Sequence, residues 1–500
     1  MVRKVNPRLK EKKVNLDNLQ NQLQTLINEH HEWLLIHALG RSFSLQNTEI
    51  EIEFSQNKVL FSYLDDKGFQ TWRINDFNFE ADEIRLNLSR NFTKEREKIR
   101  LVPRILSKDL SENLELARLE KANKIAEILA LNYPKTRNLR VELNQENGRF
   151  AQIFLENQTL VLADVSDSLT PEILISAACF LQRKFGARRK NPVGTIWILA
   201  EKKQARNLQK LHALLCENWK RKIQIKDISR KDAKAQSEEI KDVAQLKISD
   251  LWRGKAKEIK SLADHFLSET AQKIIELAPE EIDAVFAKNG ETLRFHGLPF
   301  ARVRKNLTEE KVWFGVEKSK QILTENNLEE FGELIENLQQ FRRFDAPNKR
   351  HIFHTLASEA WLESILRRNI NLLDGNLILA PLYHQFRAER DKIDLLALRK
   401  DGRLAIIELK AATDREMIFQ AAEYWRKIEF LRRKGVLQKA NLFGNTKISD
   451  APTIIYLAAP TLCFHRDFDF LKSVISPEIE IFRFDLNENW REKIRILQRR

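Results

Sequence analysis

The stretch DKIDLLALRKDGRLAIIELK, residues 391–410, decides how this chain is read. Two apolar runs, IDLLAL and RLAIIEL, flank Asp401-Gly402, a dipeptide that tolerates positive φ and marks a hairpin turn. Side chains alternate along a strand, so Glu408 and Lys410 face one way and Leu409 the other. Asp394 opens the first strand. Two carboxylates on adjacent strands can therefore converge beside a lysine. Hard divalent cations such as Mg²⁺ take oxygen ligands and keep waters and phosphate oxygens in their shell, which suits such a pair. A bound cation lowers the pKa of its water, and a nearby ammonium stabilises charge developing on phosphorus oxygens. Glu-x-Lys alone says little, because Glu201/Lys203, Glu258/Lys260 and Glu309/Lys311 repeat it on a helix or in a turn. Only Glu408/Lys410 ends a buried-type strand with an acid on its neighbour. The plain structural reading of that pair is a salt bridge at a sheet edge.

Beyond Lys410, Gln420 and Tyr424 stand four apart on a predicted helix, hence on one face. Together these residues resemble the PD-(D/E)xK nuclease superfamily, and within it the RecB-type and NucS-like branches. Their pattern is an Asp, then (D/E)-x-K, then Gln-x-x-x-Tyr, matched here by Asp394, Glu408-Leu409-Lys410 and Gln420-Ala-Ala-Glu-Tyr424. The helix SEAWLESIL, with Glu359 and Glu363, is similar to the first core helix of the NucS-like enzymes. The literal Pro-Asp is absent, since Ile393 precedes Asp394. The resemblance covers residues 346–500 and implies a restriction-endonuclease-like αβββαβ core. It further implies that Asp394, Glu408 and the Leu409 carbonyl bind Mg²⁺ or Mn²⁺, joined by Glu359 or Glu363, with Glu359 preferred. Lys410 would serve the attacking water, and Gln420 and Tyr424 would steady the site. A helix face packing on a sheet is the structural alternative for those two.

Outward from this core, the fold class reads as multidomain α/β. Residues 15–39 carry Leu, Ile, His and Trp at helical spacing and predict an amphipathic helix. Short alternating runs over 49–88 predict a β meander, and together these form an N-terminal unit over 1–105. Residues 106–230 repeat the order α-β-β-β-α-β-α-β of the C-terminal segment. Setting LVLADVS over LAIIELK places Asp164 under Glu408 and Ser166 under Lys410, while the position of Asp394 falls on Phe150. If the two modules are duplicates, the first has lost its site. Residues 231–345 read as a polar linker over 229–250, two helices reaching about 287, a β hairpin from LRFHGLPFARVRKNLTEEKVWFGV and a helix over 328–341.

Length and composition bound the rest. Five hundred residues predict two to four domains, and 43% hydrophobic residues suffice for real cores. No apolar run approaches the ~18 residues of a bilayer span, and no signal-peptide core opens the chain, so a cytoplasmic protein without a membrane partner is expected. Cys179, Cys216 and Cys463 stand far apart, excluding a disulfide framework or a CxxC zinc site. The net charge of +14 favours a polyanion such as nucleic acid or an acidic membrane surface without choosing between them, and the nuclease resemblance implies nucleic acid, DNA before RNA. Residues 201–260 hold 17 Lys/Arg against 9 Asp/Glu. Just ahead lie Arg183, Lys184, Arg188, Arg189 and Lys190, candidate phosphate contacts. No P-loop or dinucleotide glycine motif is present. The expectation is a Mg²⁺-dependent deoxyribonuclease. Its rivals are a non-catalytic nucleic-acid-binding scaffold and an RNA-directed nuclease; a homo-oligomer is left open.

Overall fold

The computed structural model describes residues 23–37, 42–55, 58–65, 68–80, 83–90, 95–103, 107–187, 192–230, 238–258, 267–287, 290–305, 310–317, 320–379, 394–444 and 446–500. They form a mixed α/β protein with four sheets. The chain divides into two compact units: Met1–Leu114 with Ser166–Ser168 and Glu317–Gln321, and all remaining residues.

The first unit is a seven-stranded antiparallel sheet. A helical segment, α1 (23–28), precedes β1 (Glu32–His37), β2 (Ser42–Gln46), β3 (Ile50–Ser55), β4 (Lys58–Asp65), β5 (Gly68–Glu80), β6 (Glu83–Arg90) and β7 (Glu95–Pro103). The strand order is β2-β1-β7-β6-β5-β4-β3. This corrects the single helix expected over 15–39, of which 15–22 and 38–39 lie outside the described residues. Trp33 and Leu35 are buried at period two, and β1 pairs with β7 through Leu35 and Leu101. The Trp33 indole donates to the Ile27 carbonyl at 2.8 Å and turns the chain out of the helix.

The central α/β module begins with α2 (Ser107–Asn132), β8 (Asn138–Leu143), β9 (Phe150–Leu155), β10 (Thr159–Asp164) and α3 (Pro171–Gly186). It continues through β11 (Thr195–Glu201), α4 (Lys202–His212), α5 (Glu217–Lys222), β12 (Ile223–Arg230) and β13 (Glu238–Asp242). β13 pairs antiparallel with β12, so the expected linker carries a sheet strand. A third sheet follows α6 (Glu269–Ile275) and consists of β14 (Ile282–Ala287), β15 (Gly290–Phe295), β16 (Leu298–Lys305), β17 (Glu310–Phe314) and β18 (Gln321–Ile322), in that order. The second helix expected before residue 287 is therefore strand β14. α7 (Leu328–Phe341) falls where its spacing predicts.

The C-terminal module comprises α8 (Ile352–Thr355), α9 (Ser358–Arg368), β19 (Leu377–Leu379), β20 (Leu395–Arg399), β21 (Leu404–Leu409) and α10 (Met417–Arg433). It is completed by α11 (Val436–Lys439), β22 (Ile454–Pro460), α12 (Phe468–Val474), β23 (Ile481–Leu486) and β24 (Ile496–Arg499). Its sheet runs β19-β20-β21-β22-β23-β24, with β21, β22 and β23 parallel and the flanking pairs antiparallel. The central sheet has the same plan, with β10, β11 and β12 parallel between antiparallel flanks. Leu396, Leu398, Leu404 and Ile406 face α10, and the alternate residues Leu395, Ala397, Ile407 and Leu409 face α9. One apolar core joins the α10 face of this sheet to the α3 face of the central one. Among the described residues no helix is long and apolar enough to cross a membrane. All three cysteines are free.

Candidate active site

The hairpin β20–β21 creates the site. Gly402 holds φ at 81°, and a Cβ there would lie 2.8 Å from the Lys447 carbonyl oxygen, so the turn accepts only glycine without a backbone shift. The register Leu395↔Ile407, carried one residue further, sets Asp394 against Glu408. The Leu409 N–H donates to Asp394 Oδ2 at 2.9 Å, fixing the aspartate at the strand mouth. Both acids are buried, Asp394 to 8% and Glu408 to 3% residual exposure, although neighbouring carboxylates repel in a poorly solvated place.

Lys410 follows β21 and is anchored by its N–H to the Ala458 carbonyl on β22 at 3.1 Å. Its Nζ lies 3.2 Å from Glu408 Oε1 and 3.1 Å from Asp414 Oδ2. Burial pulls its proton affinity down, but Glu408, Glu359, Asp414 and Asp394 outweigh that and hold it well above the ordinary lysine value. These carboxylates favour its charged form. Burial and the Asp394 charge push Glu408 well above the ordinary carboxylate range. Glu408 Oε2 is buried and has no hydrogen-bond partner among the described residues. A buried acceptor without a donor is costly, and a cation placed there relieves both the orphan oxygen and the carboxylate repulsion.

The two candidates on α9 part company. Glu359, in the first turn, acts electrostatically on Glu408 and Lys410. Glu363, one turn later and 1% exposed, accepts from Arg294 Nη1 of β15 at 3.1 Å. Arg294 also grips Asp283 with Nε at 2.6 Å and Nη2 at 2.9 Å. The β15–β16 turn meets α9 so closely that a Cβ on Gly297 would lie 1.9 Å from the Ala360 carbonyl oxygen. Glu363 thus belongs to an ion-paired joint between sheet and helix. Among the described residues no group of three Asp, Glu, His or Cys side chains is close enough to hold one ion.

Gln420 and Tyr424 lie half-buried on α10. The Gln420 N–H bonds to the Glu416 carbonyl at 3.0 Å, and the Tyr424 ring packs against the shared core with Lys427 Nζ 5.9 Å from its centre. Of the basic cluster, Arg183 donates to Asp467 at 2.9 Å with its guanidinium 4.5 Å over Phe470. It ties α3 to α12 rather than standing as an unpaired phosphate contact. Lys184 Nζ lies 5.4 Å from the Phe185 ring. Arg188, Arg189 and Lys190 lie outside the described residues.

The loop after Lys410 was missed in the sequence, although its acids stand four and six residues on. Asp414 Oδ1 accepts the Glu416 N–H at 2.6 Å. Burial, a hydrogen bond that the protonated Glu416 donates to Asp414, and the Asp414 charge push Glu416 up to about 7. Between them, Arg415 reaches the central module, 3.7 Å from Glu146 and 4.6 Å above Phe180.

At the equivalent place in the central sheet, Asp164 pairs with Phe150, the register expected from the alignment of the two modules. Phe150 packs on the shared core, and Asp164 Oδ2 accepts the Leu169 N–H at 2.9 Å. The Oγ of Ser166, which stands in the lysine's place, lies 2.7 Å from that of Ser168.

Comparison with known proteins adds no relative: no family model, curated protein or solved structure matches the chain.

Proposed function

We propose that the protein is a metal-dependent nuclease that hydrolyses phosphodiester bonds, in DNA before RNA, at the mouth of β20 and β21. The observation that carries this reading is the buried Glu408 Oε2, without a hydrogen-bond partner among the described residues, set beside Asp394 and the ammonium of Lys410. Asp394 and Glu408, with the Leu409 carbonyl, would hold Mg²⁺ or Mn²⁺, which supplies a water of lowered pKa and neutralises phosphate charge. Two hard carboxylate donors fit such an ion better than a soft one.

The chain's own residues divide the remaining tasks. Lys410 keeps its proton, so it orients the attacking water and stabilises charge on the phosphorus oxygens instead of removing a proton. Asp414 holds the ammonium at a fixed distance from Glu408, and Glu359 adds negative potential favouring a cation. Gln420 and Tyr424, on the helix that follows, would steady the site. Labelled single-stranded, double-stranded and branched DNA, and RNA, incubated with Mg²⁺, Mn²⁺ or EDTA, test the proposal. Cleavage that needs metal and disappears in Asp394→Ala is expected; no cleavage of any substrate overturns it.

A further inference from the structure

The two α/β modules pack on one another as the halves of a symmetric dimer do. Their sheets share one strand plan, and α3 and α10 both follow the third strand of their module. α3 packs on α10; α3 also meets α12, and α10 meets α4. Because α4 and α12 are themselves equivalent, these contacts are reciprocal. The backbone repeats the pattern: Cys216 N–H donates to the Val474 carbonyl and Ser476 N–H to the Leu214 carbonyl, each at 2.8 Å, around the antiparallel bridge Leu215↔Ile475. Reciprocal pairing of residues after equivalent helices is the signature of a two-fold interface, here built within one chain.

The seam is cationic. Lys210 and Arg206 of α4 face Arg426 and Lys427 of α10, with Glu423 the carboxylate among them. Burial and then the Arg426 charge pull the Lys210 proton affinity down, and Lys427 and Arg206 add to this. Like charges gathered at a seam are relieved by a polyanion crossing it.

Duplex DNA carries its own dyads, which relate its antiparallel strands, and a two-fold protein presents one equivalent surface to each strand. In this chain only one of the two surfaces is equipped. Asp394, Glu408 and Lys410 are answered by Phe150, Asp164 and Ser166, so those three positions carry one carboxylate in place of two and a hydroxyl in place of the ammonium.

We infer that the chain acts as its own two-fold partner on duplex DNA, the central module holding one strand while the C-terminal module cuts the other, so that each engagement leaves a nick. In the step, a water oxygen bonds to phosphorus, one P–O ester bond breaks and the leaving oxygen ends protonated, giving one phosphate monoester end and one hydroxyl end. The inference rests on the nuclease reading above and goes beyond it by fixing the substrate as duplex and the product as a single-strand break.

The test uses the full chain in excess over supercoiled plasmid with Mg²⁺ or Mn²⁺, read as open circle and linear DNA with time. Open circle should accumulate first, with linear DNA arising only later from independent second nicks; Glu408→Gln should abolish both. Linear DNA appearing together with open circle in the first turnover overturns the inference while leaving the nuclease reading intact. Cleavage of RNA or single-stranded DNA alone, with the plasmid untouched, also overturns it. No cleavage of any nucleic acid overturns both. Phe150→Asp/Asp164→Glu/Ser166→Lys, if it folds, should shift first-turnover product toward linear DNA, and a folded, active triple variant that still only nicks counts against a second strand at that surface.

Discussion

Arg415 lies 3.7 Å from Glu146, so the loop that positions Lys410 is braced by the hairpin between β8 and β9 of the other module. Its guanidinium also covers the Phe180 ring of α3 at 4.6 Å. Glu146 is largely exposed and its ion pair is worth little, whereas the cation–π contact lies at the joint. Arg415→Ala should therefore lower turnover about tenfold or more while Glu146→Ala changes it less than twofold. Steady-state cleavage rates of the two variants check this.

Glu408 opposes stability where it serves chemistry, because its orphan oxygen and its repulsion with Asp394 are both unfavourable without a cation. Glu408→Gln should raise stability of the metal-free protein while removing cleavage. Denaturant unfolding with EDTA measures the first and plasmid cleavage the second. A destabilised Glu408→Gln protein contradicts the assignment of strain to this pair.

Glu359 and Glu363 should separate cleanly. Removing Arg294 takes from buried Glu363 its hydrogen-bonded ion-pair partner and leaves Arg367 at 3.9 Å, so Arg294→Met should cost up to about 3–5 kcal/mol. Glu363→Gln should likewise act on stability. Glu359→Gln should leave the unfolding midpoint nearly unchanged and weaken cleavage at limiting metal. Equal loss of stability in both Glu variants would sink the division.

The pH dependence of stability carries a signature of Glu416. Its folded value of about 7 lies above the ordinary 4.5, so between the two the folded chain holds a proton that the unfolded chain has lost. Stability should fall as pH rises through that window and level off above about 7. Glu416→Gln removes this loss, gaining roughly 1–2 kcal/mol at pH 8 after allowance for partial exposure, and nothing at pH 4. Unfolding midpoints across pH 4–8 decide it.

The cationic seam should govern affinity. Each phosphate neutralised contributes about 0.9 to the slope of log K against log salt on duplex DNA. Lys210→Glu with Lys427→Glu should weaken binding severalfold and flatten that slope by about 1–2, with the fold intact. Binding isotherms at several salt concentrations, measured with EDTA, show whether the slope moves.

Local patterning carried much of this architecture into the sequence. Alternation and the Asp401-Gly402 turn fixed the β20–β21 hairpin and the facing of Glu408, Leu409 and Lys410, because strand period and turn chemistry are local properties. The spacing of 14 residues between Asp394 and Glu408, carried over to Asp164, pointed to Phe150 as the residue opposite it. Tertiary structure decided what local pattern leaves degenerate. Trp33, Leu34 and His37 fit a helix face as well as Trp33 and Leu35 fit a strand, and pairing with β7 chose the strand. β13 and β24 carry little apolar signal, since edge strands are held by backbone bonds to a neighbour. Glu359 and Glu363 are indistinguishable four apart on one helix, and only Arg294, arriving from a different sheet, separated them. The reciprocal seam of α3, α4, α10 and α12 depends on contacts more than 200 residues apart in the chain, as between Cys216 and Val474. A buried side chain's partner is set by where the backbone closes in space, and that is written in no single stretch of the sequence.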